Sequence, residues 1–136
     1  MLSQTVEYAL RAVLYIAREH PRSIPVSDIA EAVQAPRGYL AKILGDLARA
    51  HVLESSRGPS GGFRLGALPE RIALADVVSV IEGDAARRCL LGHGKCGENP
   101  TCTAHERWAP IASDMDAFFG KTTLADLLHT PNASPR

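Results

Sequence analysis

The first fifty residues alternate between apolar stripes of helical spacing and short polar breaks, a pattern that predicts three helices. In residues 4–19 the apolar positions recur every three or four residues, and the segment stops before Pro21. A short second helix is expected from about Pro25 to residue 33, and a third from about residue 36 or 37 to residue 49. The break at residues 34–36 separates them, since proline disfavours a helical residue before it. Two short helices joined by a three-residue break are typical of a helix-turn-helix motif.

The residues after the third predicted helix have the pattern of a β-hairpin. Residues 51–56 and 62–65 predict two short strands, and residues 57–61 (Arg-Gly-Pro-Ser-Gly) have the composition of a tight turn. A hairpin directly after a helix-turn-helix is the wing of a winged helix. The predicted fold class is therefore mainly α with a small β-hairpin wing, followed by a long C-terminal dimerisation helix.

The C-terminal half alternates between helical periodicity and loop composition. Helices are predicted over residues 73–82, 103–119 and 122–128, with Gly120 ending the long helix and a threonine capping the last one. The predicted division has four parts: a winged helix-turn-helix DNA-binding domain (1–82), a cysteine-bearing cluster loop (83–102), a dimerisation helix with a short C-terminal helix (103–128) and a disordered tail (129–136).

The long predicted helix carries an apolar face that one small domain has little room to cover. Its members are Trp108, Ile111, Met115 and Phe119. Packing of this face against its copy across a two-fold axis would cover it. The sequence therefore predicts a homodimer.

Composition and charge narrow the class of protein without naming a partner. Apolar residues make up 46% of the 136 residues, enough for a core, but no apolar run approaches the roughly 20 residues that span a bilayer. The first residues hold neither a basic segment nor a small-residue cleavage site, so a cytoplasmic protein without a membrane association is expected. Because 15 basic side chains balance 15 acidic ones, DNA binding has to be argued from where the basic residues lie. The sequence contains no glycine-rich phosphate loop and no serine–histidine–aspartate arrangement, so an enzyme is not expected.

The start of the third predicted helix carries residues suited to a DNA groove. The first turns of a recognition helix meet base edges and phosphates, and here they hold Arg37, Gly38, Tyr39 and Lys42. Arg37 and Lys42 are expected to neutralise phosphates, and Tyr39 to donate to a phosphate or pack on a sugar. Gly38 would let the backbone approach the DNA closely.

The predicted hairpin tip adds a second set of candidate DNA contacts. Arg57 stands at the tip with Ser60 and the glycines, a shape suited to a minor groove, and Arg64 is a further candidate for a phosphate contact. The alternative is that these are ordinary surface residues of a small helical domain. A helix-turn-helix followed by a glycine-rich hairpin is more specific than either half, so DNA binding is the preferred interpretation.

The chain has 3 cysteines, Cys89, Cys96 and Cys102, and they are close together in sequence. An odd, clustered set without a secretion signal favours a metal or redox site over a disulfide framework. Thiolates are the soft ligands that iron–sulfur clusters and zinc prefer, but the short cysteine spacing typical of zinc sites is missing. An iron–sulfur cluster is therefore preferred, with zinc and three metal-free thiols as the alternatives.

Three cysteines leave a fourth ligand to be supplied by another residue. His105 follows Cys102 by three residues, and His93 lies inside the loop. Glu7 would contribute a carboxylate from the first helix. We prefer Glu7 over His105, because a ligand on the first helix would link the cluster to the DNA-binding half of the protein.

Several motifs together resemble the Rrf2 family of winged-helix regulators, whose members include IscR and NsrR. The resemblance covers about residues 2–128 and rests on the three cysteines and on the segments 6–11 (VEYALR), 57–62 (RGPSGG) and 123–127 (TLADL). It implies a homodimer that presents two winged helices to a palindromic operator in double-stranded DNA, with Gly38, Tyr39, Lys42 and Arg57 facing the DNA. Ala41 stands where IscR-like members carry glutamate or another polar residue, which implies a different operator preference.

The resemblance leaves the cluster type open between [2Fe-2S] and [4Fe-4S]. The residues from Cys102 to His105 resemble the IscR arrangement, in which a histidine completes a [2Fe-2S] site, although the first cysteine gap is one residue longer here. The segment that begins at Glu7 resembles NsrR and its redox-sensing relatives, in which an acidic ligand comes from the partner subunit. The implied function is a transcriptional repressor that senses nitric oxide, redox state or cluster supply. The alternatives are a metal-independent thiol-redox regulator of the same fold and, more distantly, an interaction adaptor that has lost DNA binding.

Overall fold

The computed structural model describes residues 2–83, 90–91 and 102–130. Over these ranges the chain is mainly helical, with a two-stranded antiparallel hairpin after the third helix. The elements in chain order are α1 (Gln4–Arg18), α2 (Val26–Val33), α3 (Arg37–Arg49), β1 (Leu53–Ser56), β2 (Gly62–Leu65), a 3-10 helix η1 (Pro69–Arg71), α4 (Leu74–Glu82), α5 (His105–Lys121) and α6 (Leu124–Leu128). The predicted fold class, mainly α with a small β-hairpin wing and a long C-terminal helix, is confirmed.

Helix α1 is the element against which most of the other helices and the hairpin pack. It begins at a serine cap, because the Ser3 hydroxyl accepts a hydrogen bond from the Val6 amide at 3.2 Å. Its apolar stripe is buried against α2, α3, α4, α6 and β2. The buried side chains of α1 are Val6, Ala9, Ala12, Val13, Ile16 and Ala17. The same stripe predicted the helix from sequence, since apolar spacing of three and four places these side chains on one face.

The turn of the helix-turn-helix is a left-handed reversal at the end of α2. Gln34 has φ 56°, its amide donates to the Glu31 carbonyl at 3.3 Å, and the Ala35 amide donates to the Ala30 carbonyl at 3.0 Å. These two bonds form a Schellman motif, which satisfies carbonyls that the helix end leaves unpaired. Pro36 then precedes the first residue of α3.

A second reversal of the same kind shortens the first strand relative to the prediction. His51 has φ 65°, and the amides of His51 and Val52 donate to the Ala48 and Leu47 carbonyls, both at 3.0 Å. The predicted strand start at residue 51 is wrong for this reason, and β1 begins at Leu53.

The wing is attached to the body of the domain by backbone pairing. Strands β1 and β2 are antiparallel with Leu53 opposite Leu65, and both side chains are buried. Ile24 and Phe63 exchange two backbone hydrogen bonds, at 2.9 and 2.8 Å. Gly62 lies beneath this bridge, and a Cβ there would be 2.1 Å from the Ile24 carbonyl oxygen. Only glycine therefore fits at the start of β2.

The C-terminal segment pairs with the residues at the start of α4, and this pairing decides where α5 ends. The prediction that Gly120 ends the long helix is wrong, since Gly120 lies inside α5. The Leu74 amide donates to the Thr122 carbonyl at 2.9 Å, and the Leu124 amide donates to the Ile72 carbonyl at 2.9 Å. The chain therefore leaves the helix at the residue that pairs with the start of α4.

The predicted disordered tail is described only at its beginning. The His129 amide donates to the Ala125 carbonyl at 3.0 Å, and the Thr130 hydroxyl donates to the Asp126 carbonyl at 2.9 Å. These two residues thus continue the end of α6, whereas residues 131–136 lie outside the described residues.

Helix α5 exposes much of its apolar surface. In α5 only Ala112 is buried, and Ile111 and Phe118 are each 53% exposed. The adjacent Phe119 packs against the core and meets Phe118 edge to face, with the ring centroids 5.3 Å apart. None of the described helices is long and apolar enough to cross a membrane.

Candidate nucleic-acid interface

The start of α3 presents its polar side chains to solvent and its apolar side chains to the core. Arg37, Gly38, Tyr39 and Lys42 are all exposed, with Tyr39 42% exposed. The buried face of α3 consists of Leu40, Ile43, Leu44 and Leu47. The predicted DNA-facing residues of this helix thus share one exposed surface at its N-terminal end.

The charged side chains of α3 and the wing fall into two groups. Arg37, Lys42 and Arg57 make no ion pair or hydrogen bond through their side chains within the part of the chain that the structure describes. Arg64, by contrast, donates to the Glu54 carboxylate across the hairpin at 2.5 Å. The first three cations are therefore available to an external anion, whereas the charge of Arg64 is already partnered.

The wing tip holds Arg57 at a tightly closed turn. Arg57 follows the last residue of β1, Gly58 adopts φ 96°, and the Gly61 amide donates to the Gly58 carbonyl at 2.9 Å. Arg57 and Ser60 are both exposed there. A narrow, glycine-rich tip with an available guanidinium has a shape suited to a groove of the duplex.

The N-terminal turns of α1 contact the start of α3 through a cluster that the sequence did not reveal. The Thr5 and Tyr39 hydroxyls are hydrogen bonded to each other. The Tyr8 ring meets the Tyr39 ring edge to face, with the centroids 5.9 Å apart and the planes at 76°. The Arg11 guanidinium carbon lies 5.3 Å from the centroid of Tyr8. The helical spacing of residues 5, 8 and 11 put them on one face of α1, but nothing in the sequence named Tyr39 as their partner.

The candidate cluster ligands are described only in part. Cys102 is half-buried and lies just before α5, and the His105 amide donates to its carbonyl at 3.3 Å, so both residues belong to one turn. Glu7 is exposed on α1. Cys89 and Cys96 lie outside the described residues, as does His93. Among residues 2–83, 90–91 and 102–130, no three potential metal ligands come together.

Comparison with known proteins decides the family. The Rrf2 family model, described as an iron-dependent transcriptional regulator, matches residues 2–130. The chain belongs to the Rrf2 family. It is 38% identical over 134 residues to an HTH-type transcriptional regulator of Aquifex aeolicus, covering 95% of this chain and 92% of that protein. It is 30% identical over 128 residues to the HTH-type transcriptional regulator IscR of Vibrio campbellii, covering 93% of this chain and 76% of that protein.

Solved structures agree with the fold of this Rrf2-family chain. CymR, the global cysteine regulator of B. subtilis, superposes with a TM-score of 0.81 at 26% identity, covering 96% of this chain and 98% of that one. IscR of T. potens superposes with a TM-score of 0.76 at 21% identity, covering 98% of this chain and 93% of that one, and supports the fold alone. The chain is therefore a DNA-binding transcriptional regulator with a winged helix-turn-helix, and it is not an enzyme.

Proposed function

We propose that this Rrf2-family chain is a cytoplasmic, homodimeric repressor of transcription. Its affinity for a palindromic operator is controlled by an iron–sulfur cluster. In this proposal the cluster responds to nitric oxide, redox state or cluster supply. The observation that carries the DNA-binding part is that Arg37, Lys42 and Arg57 lie on the start of α3 and on the wing without an intramolecular partner among the described residues.

The proposed mode of binding places α3 in the major groove and the wing in the minor groove. Arg37 and Lys42 would neutralise phosphates on either side of the helix start, which positions the protein on the duplex. Arg57 would enter the minor groove, with Ser60 beside it as a hydroxyl donor. Tyr39 would face a phosphate or a sugar from the first turn of α3.

Replacing Gly38 with alanine tests how closely α3 approaches the DNA. A Cβ at Gly38 meets no heavy atom of the described chain within 4 Å, so the free energy of unfolding should be unchanged or should rise by up to about 1 kcal/mol. Operator binding should nevertheless weaken by about 1–3 kcal/mol, because the methyl group would crowd the DNA. Titration of an operator selected from randomised duplexes gives the affinity, and thermal unfolding gives the stability.

Gly120 in α5 provides the control for this substitution. A Cβ there also meets nothing of the described chain within 4 Å, so Gly120→Ala should preserve operator affinity. If Gly38→Ala binds the operator as tightly as the parent, the helix start does not lie against the DNA.

The proposed dimer uses the exposed face of α5. Ile111 and Phe118 are seven residues apart, which places them on the same side of the helix two turns from each other. Both are 53% exposed, and Trp108 and Met115 on the same side are half-buried. An apolar row of this length along a surface helix supports an isologous contact with a second copy. Phe119 was predicted on this face from its spacing, but it packs against the core.

The donor set of this chain fits an iron–sulfur cluster in its chemistry. Cys89, Cys96 and Cys102 would hold the cluster as thiolates, and the half-buried position of Cys102 suits a ligand partly screened from water. The bound cluster would supply a centre that reacts with oxidants or nitric oxide. The matched family is described as iron-dependent, which supports this choice over zinc.

The fourth ligand is proposed to be Glu7, with His105 as the competing candidate. The Glu7 carboxylate is exposed and makes no ion pair with the described residues, so it is accessible to a second subunit. Its helix contacts the start of α3 through Thr5 and Tyr39, so a change at Glu7 has a short path to the recognition helix. His105 shares a turn with Cys102 and would complete the site without involving α1.

Reconstitution without oxygen tests the cluster directly. The parent protein is expected to bind iron and inorganic sulfide in equal amounts and to show charge-transfer absorption. Cys96→Ala and Cys102→Ala should retain no cluster, because two thiolates and one exchangeable ligand hold the core too weakly. Glu7→Ala should keep the iron but shift the charge-transfer bands, since the fourth ligand tunes the cluster more than it retains it.

Glu31, an exposed carboxylate on α2, provides the control for Glu7. Glu31→Ala should leave both the iron content and the spectrum unchanged. If His105→Ala alters the bands and Glu7→Ala does not, the fourth ligand is His105. If the cysteine variants bind as much iron as the parent, the cluster assignment is wrong.

The second candidate is a metal-independent thiol-redox regulator of the same fold. The likeness to CymR, the global cysteine regulator of B. subtilis, favours it. In that case thiol oxidation without iron would change operator affinity. A metal-free preparation whose operator affinity changes with dithiothreitol and peroxide would support this candidate.

A further inference from the structure

The contact between the first turns of α1 and α3 includes a hydrogen bond between two hydroxyl groups at the protein surface. Thr5, in the first turn of α1, is half-buried, and its hydroxyl is bonded to that of Tyr39, in the first turn of α3. Either hydroxyl can be the donor, and when Thr5 donates, the proton of the Tyr39 hydroxyl stays available to a further acceptor. In that arrangement the bond restrains the tyrosine side chain and leaves Tyr39 able to donate to DNA.

The same tyrosine is held from a second side. The edge-to-face contact with Tyr8 restricts the Tyr39 ring, and the Tyr8 hydroxyl itself accepts from Gln4 Nε2 at 3.3 Å. Arg11 covers the Tyr8 ring and donates to the carbonyl of Val33, at the end of α2, at 3.5 Å. The first turns of α1 therefore contact both helices of the helix-turn-helix, one at its end and the other at its start.

We propose that Thr5 is a positioning residue for operator recognition and that it acts through the Tyr39 hydroxyl. Its hydrogen bond fixes the side chain of Tyr39 in the orientation used on the DNA, so the orientation does not have to be selected at the moment of binding. The proposal rests on the placement of Tyr39 at the DNA in the proposed function. It adds that a residue of α1, outside the helix-turn-helix, contributes to operator affinity.

A double-mutant cycle on the full-length protein tests the coupling. Thr5→Val removes the hydroxyl and keeps the shape of the side chain, and Tyr39→Phe removes the other hydroxyl and keeps the ring. Thr5→Val is expected to lose about 5-fold in operator affinity, because the restraint on Tyr39 is removed, and Tyr39→Phe is expected to lose at least as much, because it also removes the hydroxyl that contacts the DNA. The double variant should lose no more than Tyr39→Phe alone, because Thr5 has nothing left to position.

Two further variants separate positioning from loss of fold. Thr5→Ser retains the hydroxyl and should restore parental operator affinity. Tyr15→Phe removes a tyrosine hydroxyl from α1 at a residue that lines a groove between α1 and α2, and it should have no effect on operator affinity. All variants should unfold within about 1 kcal/mol of the parent, because the hydroxyl pair is exposed.

The outcomes distinguish this inference from the proposed function. If Tyr39→Phe weakens operator binding and Thr5→Val does not, or if the two losses multiply in the double variant, Thr5 does not act through Tyr39 and the inference is wrong. If Tyr39→Phe itself binds the operator as the parent does, the Tyr39 hydroxyl has no role at the DNA, and both the inference and that part of the proposed function are overturned.

Discussion

Replacing Arg57 with alanine is expected to weaken operator binding by about 1–3 kcal/mol, or about 5- to 150-fold. The Arg57 guanidinium stands at the tip of the wing without a partner among the described residues, so its hydrogen bonds are available to DNA. If it reads a base edge, the loss should be confined to the selected operator. If it binds phosphate only, the loss should extend to unrelated DNA. The plot of the logarithm of the binding constant against the logarithm of the salt concentration should then be shallower by about one unit of slope. Titrations at several salt concentrations distinguish the two cases.

The other arginine of the hairpin supplies the control. Arg64 is paired with Glu54, so replacing both residues with glutamine removes a cation from the same wing while the net charge stays the same. This double variant should change operator affinity by less than about 2-fold, as expected for an exposed ion pair. Unchanged affinity of Arg57→Ala at every salt concentration would contradict the assignment of the hairpin as a DNA-contacting wing.

Placing charge on the exposed face of α5 is expected to separate the dimer and to weaken operator binding by about 100-fold or more. The double variant Ile111→Glu, Phe118→Glu puts two carboxylates on the apolar row, where a second copy would bury them without partners. A monomer would bind one half-site of a palindrome and would lose the gain from joining two winged helices. Light scattering at micromolar concentration reports the mass, and titration of the full operator and of a half-site reports the affinities.

Ser113 on the opposite side of α5 gives the matched control. It is exposed and lies two residues from Ile111, about 200° around the helix. Ser113→Glu should remain a dimer and bind the operator as the parent does. A parent protein that is already a monomer at micromolar concentration, or a double variant that stays dimeric, would contradict the proposed interface.

Much of the DNA-binding half follows from local periodicity and turn chemistry. Three features have patterns that are local in sequence. They are the apolar stripe of α1, the polar start and apolar buried face of α3, and the glycine-rich turn of the hairpin. The exposed positions of Arg37, Lys42 and Arg57 could be predicted for the same reason, because the face of a short amphipathic helix and the tip of a hairpin are local properties. The family resemblance, carried by the motifs along the chain, was confirmed by the match over residues 2–130.

Other features depended on partners distant in sequence. The end of α5 beyond Gly120 is decided by the pairing of Thr122 with the start of α4, which no local pattern around the glycine contains. The Phe119 side chain packs against the core, whereas the side chain of the adjacent Phe118 is exposed. Which of the two is buried depends on the elements that pack against α5.

The charged and hydroxyl side chains of the site show most clearly which properties are local in sequence and which depend on tertiary packing. From the sequence, Arg57 and Arg64 were alike, two cations in one hairpin, and only the strand register that places Arg64 opposite Glu54 separates them. Thr5 and Tyr39 are 34 residues apart, and their hydroxyls meet because the buried faces of α1 and α3 pack together. Residue type and periodicity determined which side chains are exposed at the proposed DNA-facing surface. The tertiary packing decided which of them are already partnered and which are available, because hydrogen bonds and ion pairs depend on distances in space that periodicity does not specify.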